Sequence, residues 1–135
     1  MSDEYFSDAA SARRPESVGA YAQLRDLPSL DAGGGVRIQV VSGERLMLSY
    51  VTLAAHGVAP EHTHDEEQIG LVIDGSAEMT LDGVRRLLRA DDIYHAPPGV
   101  PHGLVAGAGG CVIVDLFSPP RAALLRLLGE GSAPA

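Results

Sequence analysis

Five histidines stand in the chain, and three of them fall at spacings that suit a metal ion. His62 and His64 flank Thr63, so in extended backbone both imidazoles point to the same face. Gln68 keeps that even parity and opens the next apolar run. His102 follows Pro97-Pro98-Gly99-Val100-Pro101, a turn that stops one strand and aims the next. A lone histidine is usually a surface or hydrogen-bonded residue. His-x-His beside a glutamine, with a later Pro-x-Gly-x-x-His, is a joint pattern that packing does not explain. Neutral imidazoles are the commonest ligands of zinc, iron, nickel and copper, and an amide oxygen is a weaker, harder ligand. His62, His64, Gln68 and His102 are therefore the expected metal ligands. Tyr94 and His95 alternate on one strand, so only one of them faces an interior.

These ligands need a scaffold of short strands, and the pattern supplies it. Val36–Ser42 is β-branched and alternating, and Arg45–Leu53 continues after the Gly43-Glu44 turn. Gln68–Ile73 precedes Asp74-Gly75, and Ala77–Leu81 precedes Asp82-Gly83, both hairpin signals. Arg85–Leu88, Asp92–Ala96 and Cys111–Phe117 complete the set. Asp31-Ala32-Gly33-Gly34-Gly35 reads as a loop. Only Arg121–Leu128 reads as helix, opened by Pro119-Pro120 and closed by Gly129. Strands every eight to twelve residues with tight turns predict a sandwich or barrel. The expected organisation is an N-terminal arm over residues 1–30, its first part polar, then one domain over residues 31–129, then a disordered tail over residues 130–135.

Composition narrows the function. A chain of 135 residues fits one domain, and 45% hydrophobic residues exclude global disorder. The apolar runs are too short to span a bilayer, and Met1-Ser2-Asp3-Glu4 places acids where a secretory signal carries bases. The expected location is cytoplasmic, with no membrane partner. Eighteen acids against ten bases give a net charge of −8, which disfavours nucleic acid. Cys111 has no second cysteine to pair with and sits in the apolar run Cys111-Val112-Ile113-Val114, which predicts a small buried residue. No lysine is present, so Schiff-base chemistry is excluded.

The stretch from about Val36 to Arg121 resembles a small single-domain cupin. The first cupin motif, His-x-His-x3-(Glu/Gln) with a following glycine, matches His62, His64, Gln68 and Gly75. The second, Gly-Asp-x4-Pro-x-Gly-x2-His, matches Asp92, Pro97, Gly99 and His102. The motif glycines are displaced or replaced at His56 and Asp91, which leaves every ligand in place. The resemblance implies an all-β cupin jelly-roll barrel with a short C-terminal helix and the four ligands on its inner face. It also implies a homodimer, because cupins commonly pair through strand edges.

Glutamine in the usual glutamate position leaves the full charge on a dication, which favours Lewis-acid polarisation of a carbonyl or enol over oxygen chemistry. Zinc is thus the first choice of metal, with iron, nickel, manganese and copper as alternatives. Glu66 shares the ligand parity as an outer base or fifth ligand, while Glu67 faces out. Asp115-Leu116-Phe117-Ser118-Pro119-Pro120-Arg121 resembles the tail of cupins that linearise unsaturated uronates in pectin and alginate breakdown. By that likeness Asp115, Phe117 and Arg121 line the site, Asp115 as general acid/base and Arg121 as the holder of a carboxylate or phenolate. A second likeness is to zinc-dependent polyketide cyclases of actinobacterial aromatic pathways. Met47, Leu48, Tyr50, Met79, Leu81 and Leu104 are the candidate inward residues, with Arg37 and Arg45 as the basic options. This apolar set favours a polyketide cyclase acting in antibiotic biosynthesis on a small-molecule substrate. The alternatives are a uronate ring-opening cupin, an oxygen-dependent cupin dioxygenase and a non-enzymatic ligand-binding cupin.

Overall fold

The computed structural model describes residues 18–131, so most of the expected arm and tail lies outside the described residues. The strands are β1 (Ser29–Gly33), β2 (Val36–Ser42), β3 (Met47–Leu53), β4 (Val58–His62), β5 (Glu67–Leu81), β6 (Val84–Arg89), β7 (Ile93–Ala96) and β8 (His102–Ser118). A 3-10 turn at Leu24–Asp26 precedes them and one helix, α1 (Ala122–Gly131), follows. All strand pairs are antiparallel, in the order β1-β2-β3-β8-β5-β6, with β4 also on β8 and β7 also on β5.

Two long strands make this one sheet into two layers. The first part of β5 lies between β7 and the second part of β8, whose other neighbour is β3. Beyond Gly75, β5 lies between β6 and the first part of β8, whose other neighbour is β4. The inner faces of both layers meet in one core that joins Val36, Leu53, Val72 and Ile113 to Ala77, Met79, Leu88, Leu104 and Ala106. The result is the expected all-β jelly roll with a short C-terminal helix.

The layer change corrects one turn. Asp74-Gly75 is no hairpin: β5 runs through it with register shifts between Val72 and Asp74 and between Gly75 and Ala77. A two-residue hairpin of the favoured kind needs positive φ at both central residues. Asp82 and Gly83 meet that condition, at 50° and 79°, and do form the β5–β6 turn. At the other site only Gly75 does, at 77°. Its missing Cβ lets the backbone of Gly110 and Cys111 cross close by, with Cys111 Cα 3.1 Å from where the Cβ would be. The outcome is a bulge that bends both long strands.

Other departures follow from weak local signals. The glycine-rich stretch ahead of Cys111 is strand from His102 onward, held by pairing with β4 and β5 rather than by propensity. β4 carries Pro60 and pairs only with β8, as an edge strand can. Residues 31–33, read as loop, belong to β1, and Gly129 lies inside α1 rather than ending it. Of the expected inward residues, Met47, Met79 and Leu104 are buried and Leu81 packs on the core. Leu48 is 37% exposed and Tyr50 shares its outward face, because strand alternation turns Met47, Ser49 and Val51 inward instead. Arg37 and Arg45 are exposed and line no part of the interior cavity. Cys111 is buried, as expected.

Ile113, 1% exposed, sits where the two layers meet. Ile113→Ala should cost about 2–5 kcal/mol in urea unfolding, whereas the exposed Leu87→Ala should stay within about 0.5 kcal/mol.

Candidate metal centre

Pairing of β4 with β8 sets His62 directly opposite His102, and His64 leads from β4 into β5. The ring centroids lie 4.5 Å apart for His62–His102, 5.0 Å for His64–His102 and 5.6 Å for His62–His64. One ring nitrogen from each falls within 4.8 Å of the others.

The tautomers follow from the backbone. Each Nδ1 meets a carbonyl oxygen two residues away: Pro60 at 2.8 Å for His62, Glu66 at 3.0 Å for His64 and Val100 at 2.9 Å for His102. A carbonyl only accepts, so each Nδ1 donates and each neutral ring keeps its lone pair on Nε2. His102 Nε2 is buried without a hydrogen-bond partner. His64 Nε2 lies 3.0 Å from Gln68 Oε1, also an acceptor. Two facing lone pairs repel unless a cation lies between them. Burial lowers the pKa of His64, with the Arg121 charge adding to it, and burial likewise lowers that of His102, so a proton is disfavoured there. Three imidazole nitrogens and an amide oxygen thus fit a divalent metal ion. Backbone acceptors behind each ring are the usual outer support of such a site.

Behind Gln68 lies a buried polar chain. Gln68 Nε2 donates to the Tyr94 hydroxyl at 2.8 Å, and that hydroxyl donates to Asp115 Oδ1. Burial raises the Asp115 pKa to about 6, against the opposing effect of its hydrogen bonds and Arg121. Burial, then the Asp115 charge, pushes the Tyr94 phenol well above its usual range. Gly70 makes this chain possible. It sits between Tyr94 and Asp115 in register, and a Cβ there would overlap the Tyr94 ring and lie 2.5 Å from Asp115 Oδ1.

His62, Gln68, His102, Tyr94, Asp115, Phe117 and Arg121 face one cavity of ≈110 Å³, closed elsewhere by apolar residues of β2, β3 and β8. Strand alternation places Asp115 and Phe117 on the same inner face of β8. Arg121 follows β8, its guanidinium carbon 5.3 Å from the Phe117 ring centroid and its Nε 3.9 Å from Glu66 Oε1. That Nε is buried with no hydrogen-bond partner.

Three of the sequence-derived ligands, His62, Gln68 and His102, and the trio Asp115, Phe117 and Arg121 therefore converge on one cavity, and His64 adjoins them through its neighbouring ring. Glu66 does not join the ligands. Its carboxylate lies 3.5 Å from His64 Nδ1, the side turned away from Nε2, so the fifth-ligand option gives way to an outer position. Glu67 is exposed, 2.7 Å from His95 Nε2. His95 and His56 are exposed and outside the cavity. Sequence reasoning left Gly70 unassigned and Tyr94 without a role. A glycine inside an otherwise apolar strand was the available signal, since it marks a close approach.

The cupin domain model matches residues 49–117. A pectin degradation protein, KdgF of Dickeya dadantii, is 33% identical over 102 residues, which are 74% of this chain and 93% of that protein. The solved structure of KdgF from a Halomonas species is 29% identical, with TM-score 0.74 over 79% of this chain and 99% of that one. The polyketide cyclase RemF from Streptomyces resistomycificus, at 20% identity and TM-score 0.67, covers 78% of this chain and 82% of its own, a likeness of fold.

Replacing a ligand and replacing Glu66 should separate cleanly. His102→Ala should weaken zinc binding by at least about 100-fold in a competition titration, and Glu66→Gln by no more than about tenfold.

Proposed function

Because this chain belongs to the cupin domain family, with a histidine cluster in its barrel, we propose that it is a metal-dependent, non-redox enzyme that opens the ring of a small unsaturated sugar acid. The observation that carries this reading is Arg121: a part-buried guanidinium whose buried Nε has no hydrogen-bond partner, in the wall of the same cavity as His62, His102 and Asp115. Such a group suits a substrate carboxylate, which it can grip with paired hydrogen bonds. The similarity to pectin degradation proteins supports the same class. The leaning towards a polyketide yields here, since two of the apolar residues behind it, Leu48 and Tyr50, face outward.

On this reading His62, His64, His102 and Gln68 hold the ion. A divalent metal, zinc in the first instance, supplies polarisation of an enol or carbonyl oxygen. Arg121 binds the carboxylate and Phe117 packs beneath the guanidinium. Asp115 takes the proton of the ring hemiacetal hydroxyl as the ring carbon–oxygen bond breaks. A proton returned to the enol carbon completes the conversion to an open-chain ketone and aldehyde. Atoms and electrons balance within the substrate, so the reaction is an isomerisation. Purified protein should convert a 4,5-unsaturated uronate to its open-chain form, followed by loss of the enol absorbance. Arg121→Leu should lower kcat/KM for the acid by about 100-fold or more while leaving the methyl ester within about threefold. No turnover of any unsaturated uronate by zinc-loaded protein would refute the reading.

A second copy of the chain also belongs to it. Val41, Leu48, Leu116 and Ile69 stand side by side across β2, β3, β8 and β5, each 37–46% exposed on the outer face. Ile73 and Ile93 extend the apolar surface. Six strands at about 4.8 Å spacing give this layer a face on the order of 500 Å² in projection. With side-chain relief and a polar rim it approaches the roughly 800 Å² per partner of stable pairs. An apolar face of this kind suits pairing with its own copy about a two-fold axis, since the row from Val41 to Ile69 carries no charge. Light scattering should give twice the 14.1 kDa chain mass, and Leu116→Glu or Leu48→Glu should give the single mass with bound zinc retained. A monomeric unsubstituted protein, or dimers that survive both changes, would remove this part.

A further inference from the structure

We infer that Tyr94 is a positioning residue that fixes which end of the Gln68 amide faces the histidines. Glutamine is an ambiguous ligand. Its oxygen attracts a cation and its NH₂ repels one, and the two ends are nearly the same size. A carboxylate has no wrong way round, so a glutamate at this position would need no such device.

The direction is set from Asp115 outward. A carboxylate accepts, so the single Tyr94 proton is drawn to Asp115 Oδ1. The hydroxyl is left with lone pairs only towards Gln68, and these take a proton from Nε2 at 2.8 Å. The amide oxygen must then point the other way, where it lies 3.0 Å from His64 Nε2. Burial favours the arrangement: Gln68 is 5% exposed and Tyr94 6%, so bulk solvent has little access to either end. Reversal would set the NH₂ against the histidine lone pairs and the oxygen against a hydroxyl with no proton to spare. Gly70 belongs to the device, because its missing Cβ is the space the Tyr94 ring crosses to reach Asp115.

This inference rests on the metal-binding reading and on no particular reaction. It is tested with cobalt(II) alone, by competition titration and visible absorption, on four full-length proteins: unsubstituted, Tyr94→Phe, Gln68→Glu and the double variant. Phenylalanine keeps the ring over Gly70 and removes only the hydroxyl. Tyr94→Phe should weaken cobalt binding by about 10- to 100-fold and alter the ligand-field bands. In the Gln68→Glu background the same change should cost no more than about threefold, because either carboxylate oxygen serves. An equal loss in both backgrounds would assign Tyr94 to packing alone and overturn the inference. So would no loss in the glutamine background. Failure of the unsubstituted protein to bind cobalt or zinc would refute the metal reading itself. Matching urea midpoints of the metal-free proteins separate these outcomes from unfolding.

Discussion

Two acceptors held 3.0 Å apart, His64 Nε2 and Gln68 Oε1, are the constraint around which the interior is arranged. Neither can turn away. The imidazole is anchored at Nδ1 by the Glu66 carbonyl, and the amide is anchored at Nε2 by Tyr94. His62 and His102 bring further lone pairs to the same point by the same backbone device. A cluster of unshared electron pairs in a half-buried pocket is costly without a cation, and that cost is what makes it a binding site. The strands exist, in this sense, to hold lone pairs in opposition.

That constraint passes outward to the backbone. Gln68, Gly70 and Val72 face inward in alternation along β5, and β8 sets Phe117, Asp115 and Ile113 opposite them in register. One residue of slippage in that pairing would turn every one of these side chains to the outer layer. The register is guarded by the bulges that flank Gly75, where both long strands bend and the layers separate. Metal centre and core are therefore one packing problem. The glycines at 70, 75 and 103 are places where two backbones, or a backbone and a ring, come closer than a Cβ allows.

The parts of this arrangement legible in the sequence were those carried by side-chain type and parity. His62, His64, Gln68 and His102 could be grouped because even spacing on a strand is a local rule, and Asp115 with Phe117 obeys the same rule. The β2 strand and the Asp82-Gly83 turn were legible for a like reason, since β-branched alternation and a two-residue turn are local signals. What stayed hidden was set by pairing across the sheet. The first part of β8 is rich in glycine and alanine and is a strand only because β4 and β5 flank it. The inward set failed at Leu48 and Tyr50 because it mixed both parities of β3, so hydrophobicity was allowed to outvote alternation. Gly70 and Tyr94 were missed because their meaning lies in an approach between β5, β7 and β8 that no single stretch contains.

Charge gives the last link between site and substrate. The ligand set itself is neutral, three imidazoles and an amide, so a dication keeps its full charge. Asp115 and Glu66 offer two negative charges near it and Arg121 one positive, which leaves the cavity with one positive charge in excess when all are ionised. A substrate carrying a single carboxylate would neutralise that excess, and a neutral polyketide would not. A glutamate in place of Gln68 would have balanced the charges without any substrate. Glutamine thus leaves the compensation to the ligand, at the cost of an end-for-end ambiguity that Tyr94 is placed to remove.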